Sequence, residues 1–580
     1  MKEIWKEKDF KPTKDPHSIA TLIGVYADLI EQVPAIGSIC QKRNNLTIFN
    51  GMSYDKLGVL HPTPGKYNEV IIRAVDLIIT FIKDNRPILI WGDYDVDGMT
   101  ATSVMYLVLK ECGANVKWAI PTREQGYGMS YDAIKAALPT PGLIITVDNG
   151  ITGVAETTDL KCDGYTVIIT DHHLPEEDLP KADLVVNPKC YLKEEDDEYM
   201  ASGCYVSAQI ALKIAEQLLP NLFEKWLHIA NAMVALSIVS DVIDLNPTMR
   251  LQMRAGLIAI NTTTHHGLEA LIKMCFNGKN NNRNISSQGL CFNIVPKLNA
   301  AGRMNSVISG MNVLTCVEDN TFGRTTAMLY ANELRSLNSK RKLIEDQIFN
   351  QALLLPEINS DDPAVVIYNP EWQTGVLGIV AARIMEQTHK PTIVLSGTDE
   401  ISGSGRTPDG IDLHGCLTSC SELLTKFGGH KVAAGVSLKK ENLEKFKKEF
   451  FKAVKESSKD CVPVYEIDAD VSIIDLFDIR LTMFLENIEP TGKNNDPILF
   501  RLSDVAVVNV LNRNETLKLI VRDETGMNMM VEKYHAPDGW TQLTNHRVDL
   551  LLTPLITYFT GSTAISWRIV AVKDITSELC

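Results

Sequence analysis

The stretch Gly92-Asp93-Tyr94-Asp95-Val96-Asp97-Gly98 sets three carboxylates at i, i+2 and i+4. Like charges that close repel one another unless cations lie among them. If the chain stays extended, this spacing puts all three on one face and makes a hard-cation site. The competing reading is a solvated acidic loop, because Asp-Gly is ordinary turn chemistry. The triplet is answered downstream by Asp148, by Asp171-His172-His173 and by Asp241, so acids and imidazoles recur at intervals suited to several separate elements.

Those elements can be read from hydrophobic pattern. Pro87 to Trp91 is short, apolar and partly β-branched, as a buried strand should be, and Met99 to Glu111 has helical spacing. Leu143 to Val147 runs into Asp148-Asn149-Gly150, and Thr166 to Thr170 runs into Asp171-His172-His173. Three strands thus end in acids or histidines. In an open parallel sheet the carboxyl ends of the strands line the ligand crevice, which would bring these distant residues together.

Together these residues resemble the DHH phosphoesterase family, named for the Asp171-His172-His173 run, and within it the RecJ-type exonucleases of single-stranded DNA. Further motifs carry the likeness in order: Arg123-Glu124-Gln125-Gly126-Tyr127-Gly128, Asn187-Pro188, Ser240-Asp241, Asn299-Ala300-Ala301-Gly302-Arg303, Ser402-Gly403-Ser404-Gly405-Arg406, and Gly428-Gly429-His430 with Ala433-Ala434-Gly435. The resemblance implies that Asp95, Asp97, Asp148, His172 and Asp241 bind two divalent cations, Mn²⁺ or Mg²⁺, with Asp148 bridging and with Asp93 and His173 beside them as further catalytic residues. It also implies phosphate clamps at Arg303 and Arg406, with Arg123, Ser404 and His430 as additional substrate-binding residues. The donor types suit the chemistry: carboxylates and water favour Mg²⁺ and Mn²⁺, one imidazole tilts the site toward Mn²⁺, and arginine forks fit phosphate. Gly403 and Gly405 would let backbone N–H groups approach a phosphate closely.

The expected fold is α/β: a parallel-sheet DHH domain, a long connecting helix, a second smaller α/β accessory domain with the GGH motif, and a C-terminal OB-like β-barrel. The boundaries read as 1–85 for an N-terminal segment containing His61-Pro62-Thr63-Pro64-Gly65, 86–250 for the DHH domain, 251–324 for a mainly helical extension, 325–357 for the connecting helix, 358–458 for the accessory domain and 462–580 for the barrel. Phe223 to Leu245 reads as an apolar helix delivering Asp241, Asn299 to Arg303 as a loop, and Thr325 to Leu355 as a helix free of Gly and Pro. The accessory domain, placed opposite the first, would form a cleft with metals on one wall and Arg406 and His430 on the other.

Composition suits a large enzyme of several domains, since 580 residues with 45% hydrophobic content can bury more than one core. Twelve cysteines without Cys-x-x-Cys spacing, and no uncharged apolar run long enough to span a bilayer, point to a cytoplasmic protein without membrane attachment. His414 and Cys416 with Cys420 lack a fourth zinc ligand and read as packing; His265-His266 reads as a polar turn. A net charge of −15 weighs against nonspecific nucleic-acid binding, although a basic groove can exist on an acidic chain. The lysines from Lys439 to Lys452 read as the solvated face of an amphipathic helix.

By resemblance the expected activity is a 5′ to 3′ single-stranded-DNA exonuclease, a metal-dependent phosphodiester hydrolase of DNA repair and recombination. A monomer is expected, with a helicase and a single-strand-binding protein as partners. A DHH phosphodiesterase of short oligonucleotides or cyclic dinucleotides is one alternative, and a non-enzymatic replication scaffold is another. Two positions depart from the family pattern: Glu489 to Pro497 replaces an aromatic turn early in the barrel, and Trp372-Gln373 stands where Trp-His is usual.

Overall fold

The computed structural model describes residues 4–7, 27–42, 65–123, 125–276, 285–317, 321–408, 410–457, 464–513, 516–534, 536–559 and 562–576. Glu124 and His61 to Pro64 lie outside them. The chain divides into a larger unit, Trp5–Asn299 with Val307–Asn332 and Glu466–Cys580, and a smaller one made chiefly of Glu333–Tyr465 with Ala300–Ser306.

The larger unit is organised by five parallel strands, β1 (Ile88–Trp91), β2 (Val116–Ala119), β3 (Leu143–Val147), β4 (Thr166–Thr170) and β5 (Leu184–Val186), in the order β2-β1-β3-β4-β5. Every residue of β1 and β3 is buried, as strands covered on both faces require. The chain leaves β1 toward one side and returns on the other as β3, so the order reverses between their carboxyl ends. This unit also carries the helices α1 (Lys66–Lys83), α2 (Val96–Glu111), α3 (Gly203–Leu218), α4 (Phe223–Ser240), α5 (Pro247–Asn261), α6 (His266–Cys275), α7 (Val295–Arg303) and α8 (Val307–Leu314), and the 33-residue α9 (Thr321–Leu353) runs from it into the smaller unit. Helix α4 is apolar enough to cross a membrane by length and composition, but it packs against α2, α3 and α5 as a core helix.

Three expectations change here. Helix α2 begins at Val96, so the acidic triplet is not extended: Asp95 caps the helix by accepting from Gly98 N at 3.0 Å, and Asp97 lies in its first turn. Helix α4 stops at Ser240, with Asp241 as the residue that ends it rather than one inside it. Asn299 to Arg303 is helical, the end of α7, not a loop.

In the smaller unit β6 (Val365–Tyr368), β7 (Thr392–Gly397), β8 (Glu400–Arg406), β9 (Lys426–Gly429) and β10 (Ala433–Lys439) form one sheet in the order β9-β10-β8-β7-β6. Only β6 and β7 run parallel. Helices α10 (Leu377–Thr388) and α11 (Leu443–Ser457) complete it; α11 buries Leu443, Phe446, Phe450 and Val454 and leaves its lysines outward. Cys416 and Cys420 are core residues of this unit.

Strands β11 (Phe500–Arg513), β12 (Thr516–Arg522), β13 (Asn528–Tyr534), β14 (Arg547–Phe559) and β15 (Ser562–Asp574) pair in the ring β11-β12-β13-β15-β14, and β14 returns to β11. This closes a barrel and removes its free edges. Its core runs into the helix Pro34–Lys42 through Ile36 and Ile39.

Candidate metal centre

The sheet places the expected acids that follow its strands at one end, and α4 ends on Asp241 beside them. Asp93 follows β1, Asp148 follows β3 and Asp171-His172-His173 follows β4, so they straddle the point where strand order reverses. Gly98 is required for the first turn: a Cβ there would sit 2.5 Å from Asp93 O. Asp148 takes φ 62, a left-handed conformation that Asp and Asn adopt more readily than most residues, and its N–H donates to Thr170 O at 3.0 Å.

Asp97, 1% exposed, is held by the amino end of α3, whose Gly203 and Cys204 N–H groups donate to its two oxygens at 2.8 and 2.7 Å. Ser237 Oγ of α4 donates to the same carboxylate at 2.7 Å. Gly203 is as constrained as Gly98, because a Cβ on it would lie 2.5 Å from Asp148 Oδ1. None of Gly203, Cys204 or Ser237 could be found from the sequence, where a Ser-Gly step before a helix is common and silent.

Asp171 differs from the other acids. One oxygen accepts from Ile151 N at 2.9 Å, and the other from His172 N, His173 N and His173 Nδ1 at 2.7, 3.1 and 2.8 Å. It is therefore an organiser of the turn with no oxygen to spare. His172 donates from Nδ1 to Ala201 O at 2.9 Å, which fixes the tautomer and leaves the Nε2 lone pair available. That Nε2 lies 3.1 Å from Asp148 Oδ1, 3.7 Å from Asp241 Oδ2 and 3.8 Å from Asp97 Oδ2. Lys189 reaches the His172 carbonyl, and Asn187 Nδ2 donates to His173 O at 2.9 Å.

Electrostatics show what the cluster lacks. Burial, then the neighbouring Asp95, holds the Asp93 carboxyl well above the usual range; burial, then Asp97, does the same to Asp148. Burial and Asp95 push Asp97 up to about 6, and burial with Asp97 and Asp95 pushes Asp241 up to about 8. Burial and the adjacent His173 bring His172 down to about 3, so it is a neutral ligand. His173 goes the other way: burial opposes its charge, but the bonded Asp171 outweighs that and raises it to about 9. Burial likewise opposes the Asp171 charge, yet the His173 bond brings it down to about 2. Tyr127 OH lies 3.1 Å from His173 Nδ1 and 3.3 Å from Asp148 O, a second contact unread in the sequence.

The donor set fits divalent cations. Asp93 Oδ1, Asp148 Oδ1 and His172 Nε2 are buried without a hydrogen-bond partner, a costly state that a cation relieves. Among the described residues, Asp97, His172 and Asp241 form one group whose donor atoms lie within 4.8 Å of one another, and Asp93, Asp95 and Asp148 form a second. The loop after Asp241 is clasped from the barrel side: Asn494 Nδ2 donates to Asp244 Oδ2 at 2.8 Å and Leu245 N to Lys493 O at 2.8 Å. The turn that departs from the family pattern thus braces the end of α4.

Arg123 lies with its guanidinium carbon 4.5 Å above the Tyr94 ring, and its charge lowers Asp93. The other expected phosphate contacts belong to the smaller unit, where Arg303, Ser404 and Arg406 gather around the amino end of α10. Arg303 Nη1 donates to Gly375 O at 3.1 Å. Arg406 Nη1 donates to Ser404 Oγ at 2.8 Å, and a Cβ on Gly378 would meet both Arg406 Nη2 and Ser404 Oγ at 3.0 Å. His430 follows β9 in the hairpin whose second strand pairs with β8 beside Arg406. The expected role of Gly403 and Gly405 is corrected: β8 is paired on both sides, which commits its backbone groups, and Gly403 serves packing, since a Cβ would lie 1.9 Å from Val394 O.

The sequence matches the model of the DHH family, N-terminal domain, over residues 87–236, and that of the DHHA1 domain over 361–456. A single-stranded-DNA-specific exonuclease RecJ of Salmonella typhimurium is 33% identical over 413 residues, covering 67% of this chain and 69% of the relative. The chain belongs to the RecJ family. A crystal structure of RecJ from Thermus thermophilus with Mn²⁺ superposes with a TM-score of 0.79 at 24% identity, over 98% of this chain and 79% of that one. An exonuclease RecJ bound to manganese superposes at 0.56 and 29% identity, over 68% and 96%. The RecJ fold therefore extends through the barrel, which the two family models leave uncovered.

Proposed function

We propose that this protein is a metal-dependent exodeoxyribonuclease that hydrolyses single-stranded DNA from the 5′ end. One observation carries the reading: five crowded carboxylates and a neutral imidazole, three of whose donor atoms are buried without partners, converge at the strand-order reversal of a RecJ fold. Asp95, Asp97, Asp148, His172 and Asp241 would hold two cations, with Asp148 shared, and Asp93 has the geometry to join them. Bound Mn²⁺ or Mg²⁺ would lower the pKa of water and neutralise the charge that builds up in phosphodiester hydrolysis.

The remaining work falls to the chain's own groups. His172 presents Nε2 because Ala201 occupies its other nitrogen. His173, kept protonated by Asp171, puts a positive charge beside the acids and attracts a phosphate oxygen. Arg303 and Arg406, with Ser404, His430 and Arg123, grip phosphates; the amino end of α10 adds its dipole to Arg406. The closed barrel favours a polymeric strand over a dinucleotide, which has no length to reach a remote stacking surface. By the same kinship the protein works as a cytoplasmic monomer in repair and recombination, on strands opened by a helicase and coated by a single-strand-binding protein.

The test is degradation of 5′- and 3′-labelled single strands, duplex and dinucleotides by the purified chain with Mn²⁺. Stepwise loss from the 5′ end of the single strand is expected. Cleavage confined to dinucleotides, or release first from the 3′ end, overturns the proposal.

A further inference from the structure

Away from the metal centre, helices of the larger unit turn charged faces toward one cavity of about 920 Å³. Lys225 and His228 come from α4 at i and i+3; His266, Glu269 and Lys273 come from α6 at i, i+3 and i+7; Arg324 comes from the start of α9. Spacing of this kind puts each set on a single helix face, which is why the groups converge. Their balance is positive in a chain whose net charge is −15. Among the described lining residues the one carboxylate is Glu269, 3.4 Å from His266 Nδ1. Lys225 packs its ammonium 4.8 Å over the Trp226 ring, and among the described residues no carboxylate pairs with Lys225 or Lys273.

The wall of this cavity is preformed. His265-His266 is not the polar turn expected from sequence. His265 is buried and caps α6, its Nδ1 accepting from Leu268 N at 3.2 Å and its Nε2–H donating to Leu314 O at 2.9 Å. Gly267 closes against α8 so tightly that a Cβ would lie 1.8 Å from Val313 O. The volume falls within the range of small-ligand sites, about 300–1,000 Å³. Inorganic phosphate alone would leave the apolar lining of Ile229, Val317 and Met328 uncovered.

We propose that this cavity binds a nucleoside 5′-phosphate at a site separate from the metal centre, the phosphate held by Lys225, Lys273 and Arg324 and the base lying against Ile229, Val317 and Met328. The separation follows from α4: Lys225 and Asp241 are sixteen residues apart (241 minus 225), about 24 Å along a helix. The assignment stands whether or not the metal centre is a nuclease.

The experiment is equilibrium dialysis of dAMP against the full chain with Mn²⁺, compared with K225E, K273E, K273R and D148N. Saturable binding is expected in the parent chain, K273R and D148N, weakened at least tenfold in K225E and K273E. Both lysines are exposed, so the charge reversals should leave the melting temperature unchanged and report on the site alone. Inorganic phosphate should compete, but more weakly than dAMP. Binding lost in D148N and kept in the lysine variants would place dAMP at the metal centre and overturn the proposal. So would absence of saturable binding at millimolar dAMP. So too would weaker binding of oligonucleotides, but not of dAMP, in the lysine variants, which would make the cavity part of a strand path.

Discussion

Replacing Asp148 by Asn should end hydrolysis while making the metal-free protein more stable at pH 8. Asn keeps the shape of the side chain and tolerates the left-handed φ of 62, whereas Ala would add about 1 kcal/mol of backbone strain. The site has no room for anything larger, as the 2.5 Å approach of a Gly203 Cβ to Asp148 Oδ1 shows. Oxygens of Asp93, Asp95 and Asp148 lie within 4.8 Å of one another. At that distance and an effective dielectric of about 20, each charged neighbour costs Asp148 about 3 kcal/mol. Against this stands about 1–3 kcal/mol for burying an amide N–H₂ without a full set of partners. With both neighbours charged the balance is a gain of about 3–5 kcal/mol at pH 8, shrinking toward zero at pH 5, where the carboxylates take up protons. Urea unfolding in EDTA at both pH values measures it, with Mn²⁺ titration and nuclease assays on the same samples. A D148N chain less stable than the parent at pH 8 would refute the repulsion argument. Retention of the Mn²⁺-dependent rise in stability would refute the shared-ligand role.

The metal-free parent should lose stability as pH rises. Asp97 and Asp241 titrate near 6 and 8 in the folded chain against about 3.9 unfolded, so the native state holds more protons between pH 4 and 8 and the slope is negative. For Asp97 the loss is about 3 kcal/mol, and it is smaller for the partly exposed Asp241 than its shift alone suggests. A melting temperature in EDTA that climbs over this range would contradict it, and Mn²⁺ binding should release protons detectable by calorimetry in buffers of different ionisation enthalpy. Lys189→Met removes the group that steadies the His172 carbonyl and should weaken Mn²⁺ about tenfold or more, read by calorimetric titration. Arg406→Ala should raise KM for single strands with the fold intact, and unchanged kcat and KM would remove Arg406 from the clamp. Val242, exposed and β-branched at φ 52 in the turn after Asp241, is strained; Val242→Asn should raise the melting temperature by the equivalent of about 1 kcal/mol, and a lower value would show that the turn is held by the valine itself.

The metal centre was legible because its acids terminate strands whose apolar runs are unmistakable, and because a parallel sheet brings strand ends together whatever lies between them. Chain order alone thus determined that Asp93, Asp148 and His172 would meet. It could not determine the local turn: the i, i+2, i+4 pattern suited an extended segment equally well, and only the helix started by the Asp95 cap rotates Asp97 onto the amino end of α3. Nor could it separate Asp171 from its neighbours, since the difference lies in four backbone and ring donors that already surround its carboxylate. Gly203, Ser237, Lys189 and the Lys493–Asn494 brace act across gaps in sequence that carry no periodic signal. Arg303 and Arg406 could be named from their motifs, but their meeting at the Gly375–Gly378 turn depends on β8 packing against α10 and on Arg303 reaching Gly375 O. Sequence sets which side chains carry the charge; tertiary structure decides which of those charges remain unpaired, and it is the unpaired ones that can take up a cation or a phosphate.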